Sequence, residues 1–203
     1  MSAAREFERE GLDVEFFAGT DGCSDPVGLH VTASEYGCAD SHMRVWRDIV
    51  AKGHPWGVVF EDDVLLDRGF KERMEALLKE APEWDMIFLG HFYTIKGRQV
   101  SDHLFEGQPL GLHAYIISHE CAKKLSTFDS RNIKVQIDSQ ISMFPIRILC
   151  ANQPIARQIG IASRSDITSL RSITLEHYIR LYHVPVVILV TLLVCSLIEY
   201  GLT

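Results

Sequence analysis

Val58, Val59 and Phe60 form a short apolar run that ends at once in three carboxylates, Glu61, Asp62 and Asp63. With Pro55 and Gly57 before it, this run at the head of the stretch 56–66, WGVVFEDDVLL, reads as a buried strand. Acidic residues at the carboxyl end of such a strand stand at the rim of an open α/β sheet, where ligands bind. Side chains alternate along a strand, so Glu61 and Asp63 are expected to point one way and Asp62 the other. Two carboxylates held side by side repel each other and call for a cation between them. Hard divalent ions such as Mg2+ or Mn2+ take oxygen ligands of this kind, usually together with substrate phosphates. For an arbitrary acidic triplet the alternative is a strand end that is merely solvated. Here the preceding apolar run and the helix upstream favour a site.

That helix covers residues 32–53. Thr32 and Glu35 form a capping box. Tyr36, Ala39, Met43, Trp46 and Val50 follow at three- and four-residue steps, an amphipathic stripe. Gly53 and Pro55 end it. His42 lies on the same helix, and taken alone a helical histidine is more often structural than catalytic. The helix leads through a short turn into the acidic strand, so βαβ order and a mostly parallel sheet are expected. Upstream, residues 3–10 read as a helix, 12–18 (LDVEFFA) as a strand and 19–22 as a turn. Downstream come a helix over 70–79 stopped by Pro82, a buried strand over 85–90 and an irregular hairpin or loop over 91–109. A strand over 112–118, a short helix over 120–126, a loop over 129–132, a helix over 136–144 carrying Asp138 and a strand over 146–151 complete the order.

At 203 residues the chain reads as one domain with something appended. A hydrophobic share of 47% beside 23% charged residues suits a globular core. The net charge of −7 argues against non-specific nucleic-acid binding. The five cysteines make no CxxC pair and no Cys/His zinc spacing, and read as reduced thiols in a reducing compartment. No apolar segment near Met1 reads as a signal peptide. The appended unit is the tail. Residues 184–198 carry no charge, and extension to 181–200 gives the about 20 residues a membrane helix needs. Its apolar residues face all ways round a helix, more than one small domain buries. Arg164, Arg171 and Arg180 precede it and Glu199 alone follows, which predicts a single-pass C-terminal anchor with the preceding domain on the cytoplasmic side.

The blocks GCADSHMRVW (37–46), VVFEDDV (58–64), DMIFLG (85–90), GLHAYIIS (111–118) and QIDSQI (136–141) resemble glycosyltransferase family 25. That family holds bacterial lipooligosaccharide galactosyltransferases and collagen hydroxylysine galactosyltransferases. Gln153-Pro154, Gln158 and Ser165-Asp166-Ile167 are similar to its closing motif. The resemblance implies a family-like domain over 1–168, a juxtamembrane segment over 169–180 and the anchor over 181–200. It implies a GT-A-like α/β fold binding a nucleotide sugar. Asp63 would then ligate Mn2+ or Mg2+ directly, Glu61 would act through water or on the ribose, and Asp62 would be structural or a secondary ligand. His42 and Gln158 would take part in binding the donor, and His113 and Gln158 would line the acceptor or donor pocket. The family is inverting, so a carboxylate must take the acceptor proton. Asp138 is the expected base and Asp85 the weaker alternative. The expected reaction moves a hexose, galactose from UDP-galactose, to a hydroxyl of a glycan, lipid-linked or protein acceptor at a membrane face. One departure bears on this. The family's usual first strand, of the type I-N-L followed by arginines, has no counterpart after Met1, so either the domain is N-terminally shortened or its start lies further upstream. A catalytically impaired protein of the same fold, binding a sugar or a partner, is therefore the second reading. A Mg2+-dependent phosphohydrolase is the third, but it calls for a nearby lysine and none follows the acidic triplet.

Overall fold

The computed structural model describes residues 3–22, 31–92 and 94–159. Its centre is a six-stranded sheet. The strands are β1 (Trp56–Phe60), β3 (Met86–Phe88), β4 (Thr94–Gln99), β5 (Leu104–Pro109), β6 (Ala114–Ser118) and β7 (Ile148–Ala151), in the order β1-β6-β3-β7-β5-β4. A two-stranded ribbon, β2 (Val64–Leu66) with β8 (Ala156–Gln158), lies beside it in the chain path. The helices are α1 (Ala3–Arg9), α2 (Ala33–Ala51), α3 (Phe70–Glu80), α4 (His119–Ser126) and α5 (Ile137–Ile141), with a 3-10 turn at Ser130–Asn132.

Strand side chains alternate between the two faces, and both faces are apolar. Met86 and Phe88 of β3, Tyr115 and Ile117 of β6 and Cys150 of β7 join Met43 and Trp46 of α2 in one core. Ile87, Ala114, Ile116 and Leu149 join Phe7, Val64, Phe70 and Leu77 in a second core on the opposite face. Helices therefore cover the sheet on both sides, as the continuous apolar runs in the sequence require.

The strand directions differ from expectation. β3 and β7 are parallel, while β1–β6, β3–β6, β5–β7 and β4–β5 are all antiparallel. The sheet is mostly antiparallel, not mostly parallel. An apolar run reports burial on both faces, and burial does not encode direction. Between β3 and β6 the chain makes the β4–β5 hairpin, without a helix crossover, and re-enters between β1 and β3 running backwards. The hairpin itself was expected as irregular, and its register does shift between Lys96 and Gln99.

Residues 12–18 are also not a strand. Phe16 stands 71% exposed, and the segment is held by side chains instead of a ladder. Phe7 meets Phe16 with ring centroids 6.2 Å apart, and Arg44 donates to the Ala18 carbonyl. The β2 and β8 strands were not anticipated, being three residues each. No helix among the described residues is long and apolar enough to cross a membrane. The predicted span 181–200 lies outside the described residues.

Helix α2 begins as its sequence dictates. The Thr32 side chain accepts from Glu35 N–H at 3.3 Å, and Glu35 Oε2 accepts from Thr32 N–H at 2.8 Å. α3 starts differently: its first residue follows Gly69, which has φ 69° and no side chain to cap with, and Glu10 Oε2 accepts the Phe70 N–H at 3.0 Å from α1's end of the chain. Thr32→Ala removes the oxygen that satisfies α2's first turn, and is expected to lower stability by about 1 kcal/mol in chemical denaturation with an unchanged denaturant slope. A loss below a few tenths, or a changed slope, would show that the cap does not hold α2.

Candidate carboxylate site

β1 ends at Phe60, so Glu61, Asp62 and Asp63 form a turn and not a strand end. The turn is pinned at the backbone. Glu61 N–H donates to the His113 carbonyl at 3.1 Å, Val64 N–H to the Glu61 carbonyl at 3.3 Å and Ile159 N–H to the Asp63 carbonyl at 2.8 Å. The β2–β8 pairing sets Val64 opposite Gln158 and so brings the Gln158 side chain over the turn. Its Nε2 donates to Asp63 Oδ2 at 2.7 Å and to Glu61 Oε2 at 3.3 Å. Glu61 and Asp63 therefore face the same side, through turn geometry and a shared amide and not through strand alternation. Asp62 is exposed.

Burial is the largest influence on Asp63 and pushes its carboxyl up from 3.8 to about 6. Gln158 opposes the rise, while Glu61 and Asp62 add to it. Asp63 Oδ1 is buried without a hydrogen-bond partner. A half-buried carboxylate with one idle oxygen, beside a second carboxylate and with one amide between them, suits a hard divalent cation. The donor set fits Mg2+ or Mn2+.

His42 projects from α2 toward the same turn. Its Nε2 lies 3.4 Å from Glu61 Oε1 and its Nδ1 lies 2.9 Å from the Tyr115 hydroxyl, whose oxygen accepts from Trp46 Nε1 at 2.8 Å. Cys38, one helical turn earlier, brings its sulfur into the same space. Ligand atoms of Cys38, His42 and Glu61 all lie within 4.8 Å of one another. Burial pushes the Cys38 thiol well above its usual range, and Glu61, Asp138, Glu35 and Asp63 push it further. Cys38 is thus a protonated thiol beside the carboxylates.

Asp138 stands at the start of α5 and reaches across to Gly111. Its Oδ2 accepts the Gly111 N–H at 3.0 Å, and its Oδ1 accepts the N–H and hydroxyl of Ser139 at 2.7 and 3.1 Å. Gly111 has φ 92°, a conformation that favours glycine, and a Cβ there would meet the Phe92 ring at 2.7 Å. Asp138 thereby holds the bend that leads into His113. Asp85 is elsewhere. It immediately precedes β3, where its carboxylate accepts the Arg147 N–H at 2.7 Å and its carbonyl accepts the Ser118 N–H. Ser118 pairs with Trp56, so Asp85 sits at the opposite end of β1 from Glu61.

His113 is buried with neither ring nitrogen at hydrogen-bond geometry. Burial lowers its pKa from the ordinary histidine value, and Glu61 and the nearby Ala156 carbonyl only partly offset this. Gly90 makes room for it: a Cβ at Gly90 would sit 2.2 Å from His113 Nε2. The residues converging on the turn are thus Glu61, Asp63, Gln158, His42, Cys38 and His113. Sequence reading missed Cys38, Tyr115 and Trp46. The Cys38–His42 spacing of four on a helix was a visible signal, and a tyrosine inside the apolar run 112–118 signals a buried hydroxyl that needs a partner.

Comparison with known proteins bears on this constellation. The model of the family described as glycosyltransferase family 25 (LPS biosynthesis protein) matches residues 24–106. The rat protein named probable inactive glycosyltransferase 25 family member 3 is 42% identical over 74 residues, 34% of this chain and 13% of the relative. Procollagen galactosyltransferase 1 of Danio rerio is 38% identical over 74 residues, 34% of this chain and 12% of the relative. The glycosyltransferase 25 family member of Aedes aegypti is 30% identical over 150 residues, 59% of this chain and 24% of the relative. The chain thus spans a quarter or less of the length of these relatives. The family match takes in α2, β1 and the acidic turn but stops before Asp138 and Gln158. The resemblance read in the sequence therefore holds where the family model matches, across α2, β1 and the carboxylate turn.

Proposed function

We propose that the carboxylate turn belongs to a metal-dependent, inverting glycosyl transfer site that takes a hexose, galactose from UDP-galactose, to a hydroxyl of a glycan, lipid-linked or protein acceptor. The observation that carries the reading is Asp63. It is half-buried, raised to about 6, paired with Glu61 and left with a buried idle oxygen, within sequence matched to glycosyltransferase family 25. Asp63 Oδ1 would ligate Mn2+ or Mg2+ directly, and the Glu61 carboxylate would help hold it through water. When bound, such an ion supplies positive charge against the diphosphate of a nucleotide sugar. Gln158 keeps the two carboxylates facing the same side, and His42 keeps Glu61 from turning away.

In the displacement the acceptor oxygen forms a bond to the sugar's anomeric carbon as the bond to the nucleotide diphosphate breaks. The acceptor's proton passes to a carboxylate, for which Asp138 remains the proposed group. Its two oxygens already accept three hydrogen bonds, two at Oδ1 and one at Oδ2, which leaves a lone pair on Oδ2 to take the proton. Those hydrogen bonds, and the relatives whose names call them inactive, also support a second reading: a protein of the same fold that binds a sugar or partner without turnover. The reading further includes a membrane anchor over 181–200 with the carboxylate site on the cytoplasmic side, supported by the uncharged run 184–198 and the arginines before it.

The direct test is transfer or slow hydrolysis of UDP-galactose by the full chain with Mn2+. Asp63→Ala is expected to abolish it with the fold intact by circular dichroism; equal activity in that variant would sink the metal assignment. Asp138→Asn is expected to slow turnover by about 10²–10⁴-fold with donor affinity unchanged. Parallel losses in rate and affinity would assign Asp138 to holding the Gly111 bend instead.

The raised carboxyl also has a stability consequence. In metal-free protein Asp63 keeps its proton to about pH 6 when folded and loses it near 3.8 when unfolded. Between these values the folded state binds more protons, so Asp63 makes stability fall as pH rises from about 4 to 6. Asp63→Asn is expected to flatten that decline in urea titrations. An identical pH profile in the variant would show that Asp63 titrates normally.

A further inference from the structure

A chain of buried hydrogen bonds ends on Glu61, and its first link has only one direction. The Trp46 indole nitrogen is a donor and nothing else. It gives its hydrogen to the Tyr115 hydroxyl oxygen at 2.8 Å, deep in the core where both side chains are buried. The Tyr115 hydrogen must then go elsewhere. Its partner at hydrogen-bond distance is His42 Nδ1, 2.9 Å away. Burial also raises the Tyr115 pKa well above the usual value, so the hydroxyl keeps its hydrogen to donate.

A His42 Nδ1 that accepts from Tyr115 leaves the neutral ring protonated on Nε2. That nitrogen faces Glu61 Oε1 at 3.4 Å. Glu61's other oxygen accepts from Gln158. The carboxylate is thereby held from both sides by donors, while Asp63 Oδ1 is buried without a hydrogen-bond partner.

We propose that Tyr115 and Trp46 are positioning residues, which fix His42 in the Nε2–H tautomer so that it holds Glu61 in place beside Asp63. Glu61 is then an oriented acceptor for donor hydroxyls or metal-bound water, and Asp63 the direct ligand. The arrangement also decides against a rival use of the same atoms. A thiophilic ion on Cys38, His42 and Glu61 needs the lone pair of His42 Nε2, hence a hydrogen on Nδ1. Tyr115 would then accept from both Trp46 and His42, and its own buried hydrogen would have no other acceptor among the described residues. The positioning role rests on the transferase reading of Glu61; the tautomer does not.

The experiment is 15N NMR of histidine-labelled full chain in detergent micelles at alkaline pH, with His42→Gln to assign the signal. The expected spectrum shows His42 with Nε2 protonated, and Tyr115→Phe is expected to give a mixture of tautomers. Binding of UDP with Mn2+ is measured on the same samples and is expected to weaken about 10-fold in Tyr115→Phe, as for other outer-shell partners. His42→Gln gives the same readout should Tyr115→Phe not fold, with weakening of the same size expected. His42 protonated on Nδ1 in the unsubstituted chain would overturn the proposal, as would unchanged UDP and Mn2+ affinity in both variants. Absence of UDP binding in the unsubstituted chain, with the Nε2–H tautomer present, would instead sink the transferase reading and leave the hydrogen-bond chain standing.

Discussion

The antiparallel register of β1 on β6 is the constraint from which the site follows. It sets Phe60 opposite Ala114 and Val59 opposite Tyr115. The next residue along β1's path, Glu61, then donates its N–H to the His113 carbonyl, which anchors the acidic turn at the sheet's rim. The same register turns Tyr115 toward α2, where Trp46 and His42 meet its hydroxyl. A slip of one residue would send Tyr115 to the other face and take the His42 contact with it. Register here is held by burial, since Ala114, Tyr115, Ile116 and Ile117 are all fully buried, on alternating faces.

The second half of the site comes from far along the chain. β8 pairs with β2 for three residues, and that short ladder carries Gln158 onto Glu61 and Asp63. A single neutral amide between two carboxylates reduces their repulsion without cancelling it. Asp63 remains raised chiefly because it is buried, with Glu61 and Asp62 contributing. Around it lie groups that keep their neutral forms, the Cys38 thiol and the His113 imidazole, both held so by desolvation. Among the described residues these neighbours bring no positive charge to Asp63, and that charge is what the proposed cation would supply.

Much of this was legible in the sequence. The capping box Thr32/Glu35, the stripe of Met43 and Trp46, and the run 58–60 ending in Glu61 gave α2 and β1 with their boundaries nearly right. Those signals are local, and local patterns report burial and helix starts well. What stayed hidden is what depends on distant partners. Strand direction was one such property, because Ile116 and Ile117 look the same in either sense. The run 12–18 has strand-like composition, but composition cannot supply a neighbouring strand, and Phe16 ends up exposed. The β2–β8 ladder is too short to leave a periodic signal. Glu61 and Asp63 were expected together for a reason of strand alternation, whereas a turn and Gln158 bring them together. Asp138 was expected as a base, and its bonds to Gly111 and Ser139 are invisible without the fold.

The account stands or falls on whether the Glu61–Asp63 pair takes a hard divalent ion. Equilibrium Mn2+ binding to the full chain, followed by electron paramagnetic resonance of free Mn2+ with and without UDP, measures this most directly. The account predicts one site per chain that tightens when UDP is added and is lost in Asp63→Asn, with the variant's circular dichroism unchanged. Mn2+ binding that is equal in the unsubstituted chain and in Asp63→Asn, or binding indifferent to UDP, would contradict it.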